Sequence, residues 1–180
     1  MVIDNRLKKN NSHLKEKIQK IKIVITDNDG VLTDTGVYFS EKGEAFKRYS
    51  IRDGMGVERL RKYAGIETII ITGEESGSVK SRASKLKIKE YYLGVKKKVD
   101  ILPQIMKKKS LKAENIAFIG DDSNDVELMK SIGFKATPAD GMNFIKDIAD
   151  YVCENKGGHG AFRELAELIL AFQSDSDSGK

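Results

Sequence analysis

Cysteine is all but absent from this sequence. Cys153 stands alone among 180 residues, so no disulfide framework can form, and with only two histidines beside it no zinc cluster of thiolates and imidazoles can be assembled. Long apolar runs are missing too: none approaches the roughly 18 residues that a bilayer-crossing helix needs. The first residues are polar where a signal peptide would carry its apolar core, and there is no internal repeat. These absences predict a soluble, cytoplasmic protein of a reducing compartment, without a membrane partner. Positive charge is in excess, at a formal +5. The lysines are scattered or stand in short runs (Lys96 to Lys98, Lys107 to Lys109) with no aromatic platform beside them, which argues for solvated faces and against a nucleic-acid partner.

What the chain does have is a series of β-branched runs that end in polar residues. Ile23-Val24-Ile25-Thr26 runs without a charge into Asp27, with Asp29 two residues on and Gly30 beyond. It reads as a buried parallel strand delivering carboxylates to its own carboxyl end. Glu67 to Ile71 leads in the same way to Thr72-Gly73, Tyr91 to Gly94 forms a short strand before Lys98, and Asn115 to Gly120 runs into Asp121-Asp122-Ser123-Asn124-Asp125; further strands are predicted at 134–137 and 151–153.

Helices are predicted between them. The first covers Asp53 to Tyr63, with Asp53 as its cap, Met55, Val57, Leu60 and Tyr63 turned inward and Gly65 as its stop. Others cover 76–86, 99–109 with Pro103 in the first turn, 126–132, 142–149 and 161–172. This alternation predicts an α/β fold, a Rossmann-like doubly wound parallel sheet. Thr33 to Ser50 reads as a β-hairpin around a turn at 40–44, an insertion too small to be a large cap domain. Residues 1–20 are polar and lysine-rich, with Ser12 a candidate cap for a short helix carrying Leu14 and Ile18. They are expected to be a partly mobile extension to a domain at 21–172, and the Ser/Asp-rich tail at 173–180 is expected to be disordered.

In a parallel sheet the carboxyl ends of the strands share one edge, so Asp27, Asp29, Thr72, Lys98, Asp121, Asp122 and Asp125 can meet in one pocket. Taken singly each has a plainer explanation: Thr72 as a helix cap, Lys98 as a surface lysine, Asp125 as an exposed acid. Convergence is what favours chemistry. Crowded carboxylates at neutral pH call for a cation, and an all-oxygen donor set suits Mg²⁺, which takes its remaining positions from water and substrate phosphate. A phosphoryl group placed there meets a nucleophile, a metal, a hydroxyl and an ammonium. The residue types assign Asp27 as the nucleophile, forming an aspartyl phosphate, and Asp29 as the acid that protonates the leaving oxygen and then the base that activates water. Thr72, with the backbone at Gly73, is assigned to hold a phosphoryl oxygen, and Lys98 to balance charge on phosphate and on Asp27. Asp27, Asp121 and the main-chain carbonyl of Asp29 are the expected Mg²⁺ ligands, with Asp122 and Asp125 orienting them.

In Asp27-Asn28-Asp29-Gly30-Val31-Leu32-Thr33-Asp34, Ile71-Thr72-Gly73, Lys98 and Gly120 to Asp125 the chain resembles the haloacid dehalogenase phosphatases, over about residues 20 to 170. Arg52-Asp53-Gly54-Met55-Gly56 and Gly157 to Glu164 are similar to motifs found within the capless branch, which includes phosphatases of phosphorylated 2-keto-3-deoxy sugar acids. The resemblance implies a Rossmann-like domain, Mg²⁺, and a homotetramer in which the hairpin of one subunit and the carboxyl-terminal segment of another help cover each active site. Asn28 stands where a Val or Leu is more familiar. After Thr72-Gly73 the enzymes for the eight-carbon acid commonly continue with Arg, whereas this chain has Glu74, followed on the next helix by Arg82 and Lys85. That set is similar to the phosphatases for 2-keto-3-deoxynononate 9-phosphate, in which such residues contact the sugar acid. The sequence therefore leans to a nine-carbon substrate, with 3-deoxy-D-manno-octulosonate 8-phosphate as the close alternative, and Arg52 is a further candidate for the substrate's anionic end. Two other classes compete. A phospho-accepting receiver lacks an acid two residues beyond its nucleophile, and a silent assembly domain would not need the complete set of acids.

Overall fold

The computed structural model of the chain describes residues 5 to 173, so the expected tail lies outside the described residues except for Gln173. The chain opens with two short helices, α1 (Asn5–Asn10) and α2 (Lys15–Gln19), followed by β1 (Ile23–Thr26) and a hairpin of β2 (Thr33–Ser40) and β3 (Gly43–Tyr49). Then come α3 (Ile51–Ala64), β4 (Glu67–Ile71), α4 (Gly77–Lys85), β5 (Glu90–Tyr92), α5 (Leu102–Lys109) and β6 (Ile116–Ile119). The last elements are α6 (Val126–Lys130), β7 (Phe134–Thr137), α7 (Asn143–Lys146), β8 (Tyr151–Val152) and α8 (Ala161–Gln173). The predicted helix at 142–149 is thus only the short α7.

Six strands form one parallel sheet in the order β5-β4-β1-β6-β7-β8. Their period of two sorts the apolar residues onto two faces. Val24, Ile70, Ala117 and Ile119 pack with α3, α4 and α8, while Ile25, Ile69, Ile71 and Phe118 pack with α5, α6 and α7. Both faces are covered, which is why these strands read as unbroken apolar runs. From β1 the chain first builds outward through β4 and β5, then crosses back to add β6 on the other side. The order of travel reverses between β1 and β6, and a crevice opens at their carboxyl ends. Among the described residues the hairpin is the only insertion, and there is no large cap.

Three expectations give way to packing. Residues 5–19 are not a loose extension: Leu14 and Ile18 are buried in the same cluster as Leu165 and Ile169 of α8. The reason is α8 itself. Ten of its 13 residues are buried, so it needs cover on more than one side; α3 lies against it and α1 and α2 complete the cover. Gln173 fastens this arrangement by donating to the carbonyls of Ile18 and Ile21 (3.0 and 3.1 Å). Ser12, offered as a cap, lies within a 3₁₀ turn instead.

The second change concerns the start of α3, which is capped by Ser50, whose hydroxyl accepts from the Asp53 amide (3.3 Å). Asp53 is itself buried and accepts from the amides of Gly160 and Arg163 (3.1 and 3.0 Å), tying α3 to the start of α8. Thirdly, Met55 and Tyr63 are 43% and 40% exposed, and the inner face of α3 is made by Gly54, Gly56, Val57 and Leu60. The glycine-rich loop before α8 rests on the loop after β1: the Gly158 amide donates to the Val31 carbonyl (2.8 Å), and a Cβ on Gly157 would stand 1.9 Å from the Gly30 carbonyl oxygen.

Candidate active site

Three neighbouring strands deliver the acids and the hydroxyl. Asp27 follows β1, Thr72 follows β4 on one side, and Asp121 follows β6 on the other. They line a cleft of about 300 Å³ together with Asp29, Gly73 and Glu74, and with Thr35, Asp122, Ser123 and Asn124. Lys98 enters from beneath. Its side chain is fully buried, with Nζ 2.5 Å from Asp27 Oδ2 and 2.6 Å from Asp125 Oδ1. The second Asp125 oxygen accepts from the Asp121 amide (2.9 Å), so both of its oxygens are engaged in holding neighbours. Thr72 is buried and its hydroxyl oxygen accepts from the Glu74 amide (3.3 Å), which shapes the loop that lines the cleft. Asp29 stands at the hairpin side, where it accepts from Lys47 Nζ and from Thr33 Oγ1.

The electrostatics are those of too many negative groups in too small a space. Burial, reinforced by the Asp125 charge and opposed by Lys98, pushes the Asp27 carboxyl up to about 7. Burial together with Asp27 and Asp125 pushes Asp121 up to about 8. Burial alone would lower Lys98, but the Asp27 and Asp125 carboxylates hold it above the usual lysine range. Carboxylate oxygens of Asp27, Asp121 and Asp125 lie within 4.8 Å of one another, three acids against one ammonium. A donor set of hard oxygens short of positive charge fits a small divalent cation. Gly30 helps to create that room. Its φ of +80° and lack of a side chain let the loop turn under Asp121, whose Oδ2 lies 1.9 Å from where a Cβ would be.

Sequence reasoning brought Asp27, Asp29, Thr72, Gly73, Glu74, Asp121 and Asp122 to one cleft, with Lys98 and Asp125 packed below it. Three candidates are not on its wall. Arg82 donates to the Ser50 carbonyl (2.7 Å) and lies over the Tyr49 ring, so it supports the base of the hairpin. Lys85, three residues further along α4, is exposed. Arg52 faces a separate cleft shared with Arg48, Tyr49 and His159. Helical spacing put these cations near the site without saying which way they turn. Lys47 and Thr35 escaped notice. Thr35 adopts a left-handed backbone (φ 64°), rare for a β-branched residue and invisible in composition.

A profile described as haloacid dehalogenase-like hydrolase matches residues 93–165. Over 163 residues, 91% of this chain and 90% of the relative, the sequence is 37% identical to the 3-deoxy-D-manno-octulosonate 8-phosphate phosphatase of Haemophilus influenzae. It is 35% identical to the phosphatase of that name from Salmonella typhi, covering 94% of this chain and 89% of the relative. Among solved structures, a phosphatase for this eight-carbon acid from Moraxella catarrhalis, in complex with magnesium, phosphate and the sugar acid, superposes with a TM-score of 0.87. Identity is 32%, over 93% of this chain and 95% of that one. The cobalt-bound Haemophilus influenzae enzyme superposes with a TM-score of 0.85 at 38% identity, over 89% of this chain and 93% of that one. These relatives carry the eight-carbon name, so they favour the alternative substrate and lend no support to the nine-carbon acid suggested by Glu74.

Proposed function

This chain belongs to the haloacid dehalogenase-like hydrolases and is a phosphatase, and from that membership we propose that it hydrolyses 3-deoxy-D-manno-octulosonate 8-phosphate with Mg²⁺ as cofactor. The observation that carries the reading is the meeting of Asp27, Asp29, Thr72 and Asp121 on one cleft with the Lys98 ammonium buried beneath Asp27. The relatives' names supply the substrate.

In this reading an Asp27 oxygen attacks phosphorus as the bond to the sugar oxygen breaks, and Asp29 passes its proton to that leaving oxygen. Water then enters, gives a proton to Asp29 and attacks phosphorus; the bond to Asp27 breaks and phosphate leaves. The Thr72 hydroxyl and the Gly73 backbone hold phosphoryl oxygens, and Lys98 favours the ionised form of Asp27 against burial and Asp125 and balances the charge that gathers on the group in transfer. Asp27, Asp121 and the Asp29 carbonyl would hold Mg²⁺, which when bound offsets the negative charge of the phosphoryl oxygens. Asp122 and Asp125 orient these groups.

Glu74, exposed at the cleft rim, is placed to accept from sugar hydroxyls. Arg52, Arg82 and Lys85 are not on this cleft, whereas Lys96 donates to the Gly73 carbonyl on its wall (3.0 Å) and is the candidate cation of this chain for the sugar carboxylate. The hairpin exposes Tyr38, Phe39 and Phe46 at 56%, 75% and 59%, an apolar surface suited to a homotetramer. No helix among the described residues is long and apolar enough to cross a membrane, in keeping with a cytoplasmic enzyme. Steady-state rates on the eight- and nine-carbon phosphates, with Mg²⁺ and after chelation, test the whole. The expected result is turnover that favours the eight-carbon substrate, stops on chelation and returns with Mg²⁺. A stable phosphoprotein after acetyl phosphate, without multiple turnovers, would point to a receiver.

A further inference from the structure

On β3 the side that faces the protein is the charged one. Phe46 is exposed, whereas the Lys47 side chain is 2% exposed. An ammonium is withdrawn from water only where carboxylates compensate it. Here Nζ lies 2.9 and 2.8 Å from the two oxygens of Asp29, and 3.5 Å from Glu44. Two residues along, on the same face of the strand, Tyr49 donates its hydroxyl to Asn28 Oδ1 (3.2 Å), and Asn28 Nδ2 donates to Asp29 Oδ1 (3.1 Å). One strand therefore grips both residues of the loop after β1. Glu44 also accepts from Ser76 (2.5 Å), the residue that caps α4 just beyond Thr72, so the same strand reaches the second loop of the cleft. Lys47 is not on the wall of that cleft, and nothing in the chemistry described above uses it.

We propose that Lys47 is a positioning residue for phosphoryl transfer: from the hairpin side it holds both oxygens of the ionised Asp29, and the unprotonated oxygen once Asp29 carries its proton, and so sets where that carboxyl stands relative to the Asp27 nucleophile. The inference rests on Asp29 acting as the acid and base of the proposed function. As the bond from Asp27 to phosphorus forms and the bond to the leaving oxygen breaks, the proton must already point at that oxygen, and a carboxyl free to rotate meets it only part of the time. The demand depends on the leaving group. A sugar alkoxide needs the proton, whereas p-nitrophenolate is stable without it. A lysine that merely stabilised the fold would matter equally for both.

The test compares Lys47→Met with the parent chain, using kcat/KM, which reports events up to departure of the leaving group. The substrates are octulosonate 8-phosphate, phenyl phosphate and p-nitrophenyl phosphate. Lys47→Met is expected to lose about 10- to 100-fold on the first two and less than about 3-fold on the last. In an Asp29→Asn background it should add no further loss, because the group it positions is gone. Should Lys47→Met not fold, Lys47→Gln, which keeps one donor, is expected to show the same leaving-group pattern in smaller measure. Equal losses on all three substrates, no loss on any, or losses that multiply with those of Asp29→Asn overturn the proposal. If the parent chain fails to turn over octulosonate phosphate, the substrate assignment falls, while the ratio of phenyl to p-nitrophenyl phosphate still decides the role of Lys47.

Discussion

Asp27 and Asp121 show how a residue can be placed for chemistry at the expense of the fold. Asp27→Asn should abolish turnover yet leave the fold intact, because Lys98 keeps its bond to Asp125; activity assays alongside circular dichroism check both halves. Asp121 is different, since without a cation it adds repulsion to a buried site. Asp121→Asn is expected to raise the melting temperature of the metal-free protein by roughly 2–4 °C, equivalent to about 1 kcal/mol, while turnover disappears. Melts in chelator and in Mg²⁺ decide this: the parent should gain stability from the ion and the variant should not. The acids and Thr72 were visible in the sequence because each ends a β-branched run, and strand ends in a parallel sheet share an edge. Lys47 was hidden for the opposite reason. Beside Phe46, ordinary alternation would turn the ring inward and the lysine out, and the carboxylate of Asp29, 18 residues back, reverses it. Nor could helical periodicity show that Arg82 spends its guanidinium on the Ser50 carbonyl.

Among the elements, α8 and the helices before β1 depend on each other. Ile18 is completely buried against α8, so Ile18→Ala should cost about 2–4 kcal/mol, read from the urea midpoint, and leave kcat unchanged. The same segment carries a pH dependence. Burial works against the charge on Asp150, but the Lys17 ammonium, the Lys135 amide and the Lys135 ammonium hold its carboxyl below the ordinary value of 3.8. A folded value below the unfolded one means that this contact stabilises above pH 3.8 and is lost as pH falls through the lower, folded value. Lys17→Met should therefore flatten the acid limb of the stability curve. The loss falls at neutral pH and vanishes in acid, and it is small, since Lys17 is half exposed and such pairs contribute about 1 kcal/mol or less; the neutral-pH melting temperature should fall by roughly 2–4 °C at most. The strands and most helices could be read from periodicity. The lysine-rich surface of residues 5–19 concealed that two apolar side chains, Leu14 and Ile18, were needed to cover a helix buried on more than one side.

For the whole molecule, the exposed ring pair of Tyr38 and Phe46, stacked at 4.7 Å, is where subunits should meet. Phe39→Ser with Phe46→Ser is expected to shift the protein towards monomers in sedimentation velocity, with the melting temperature of the domain little changed. An unaltered sedimentation coefficient would remove this surface as a subunit contact. The sheet has a further consequence, for how the molecule comes into being. One of its two central strands, β1, is made before all the others, yet its neighbour β4 arrives only after the hairpin and α3, and β6 only after α4, β5 and α5 as well. A newly made or refolding chain must close one long loop before β1 acquires β4 and a longer one before it acquires β6, so it should refold in milliseconds to seconds rather than at the speed of a helical bundle. Until then Ile23-Val24-Ile25 is a bare edge open to other chains, the point at which crowded refolding should go astray.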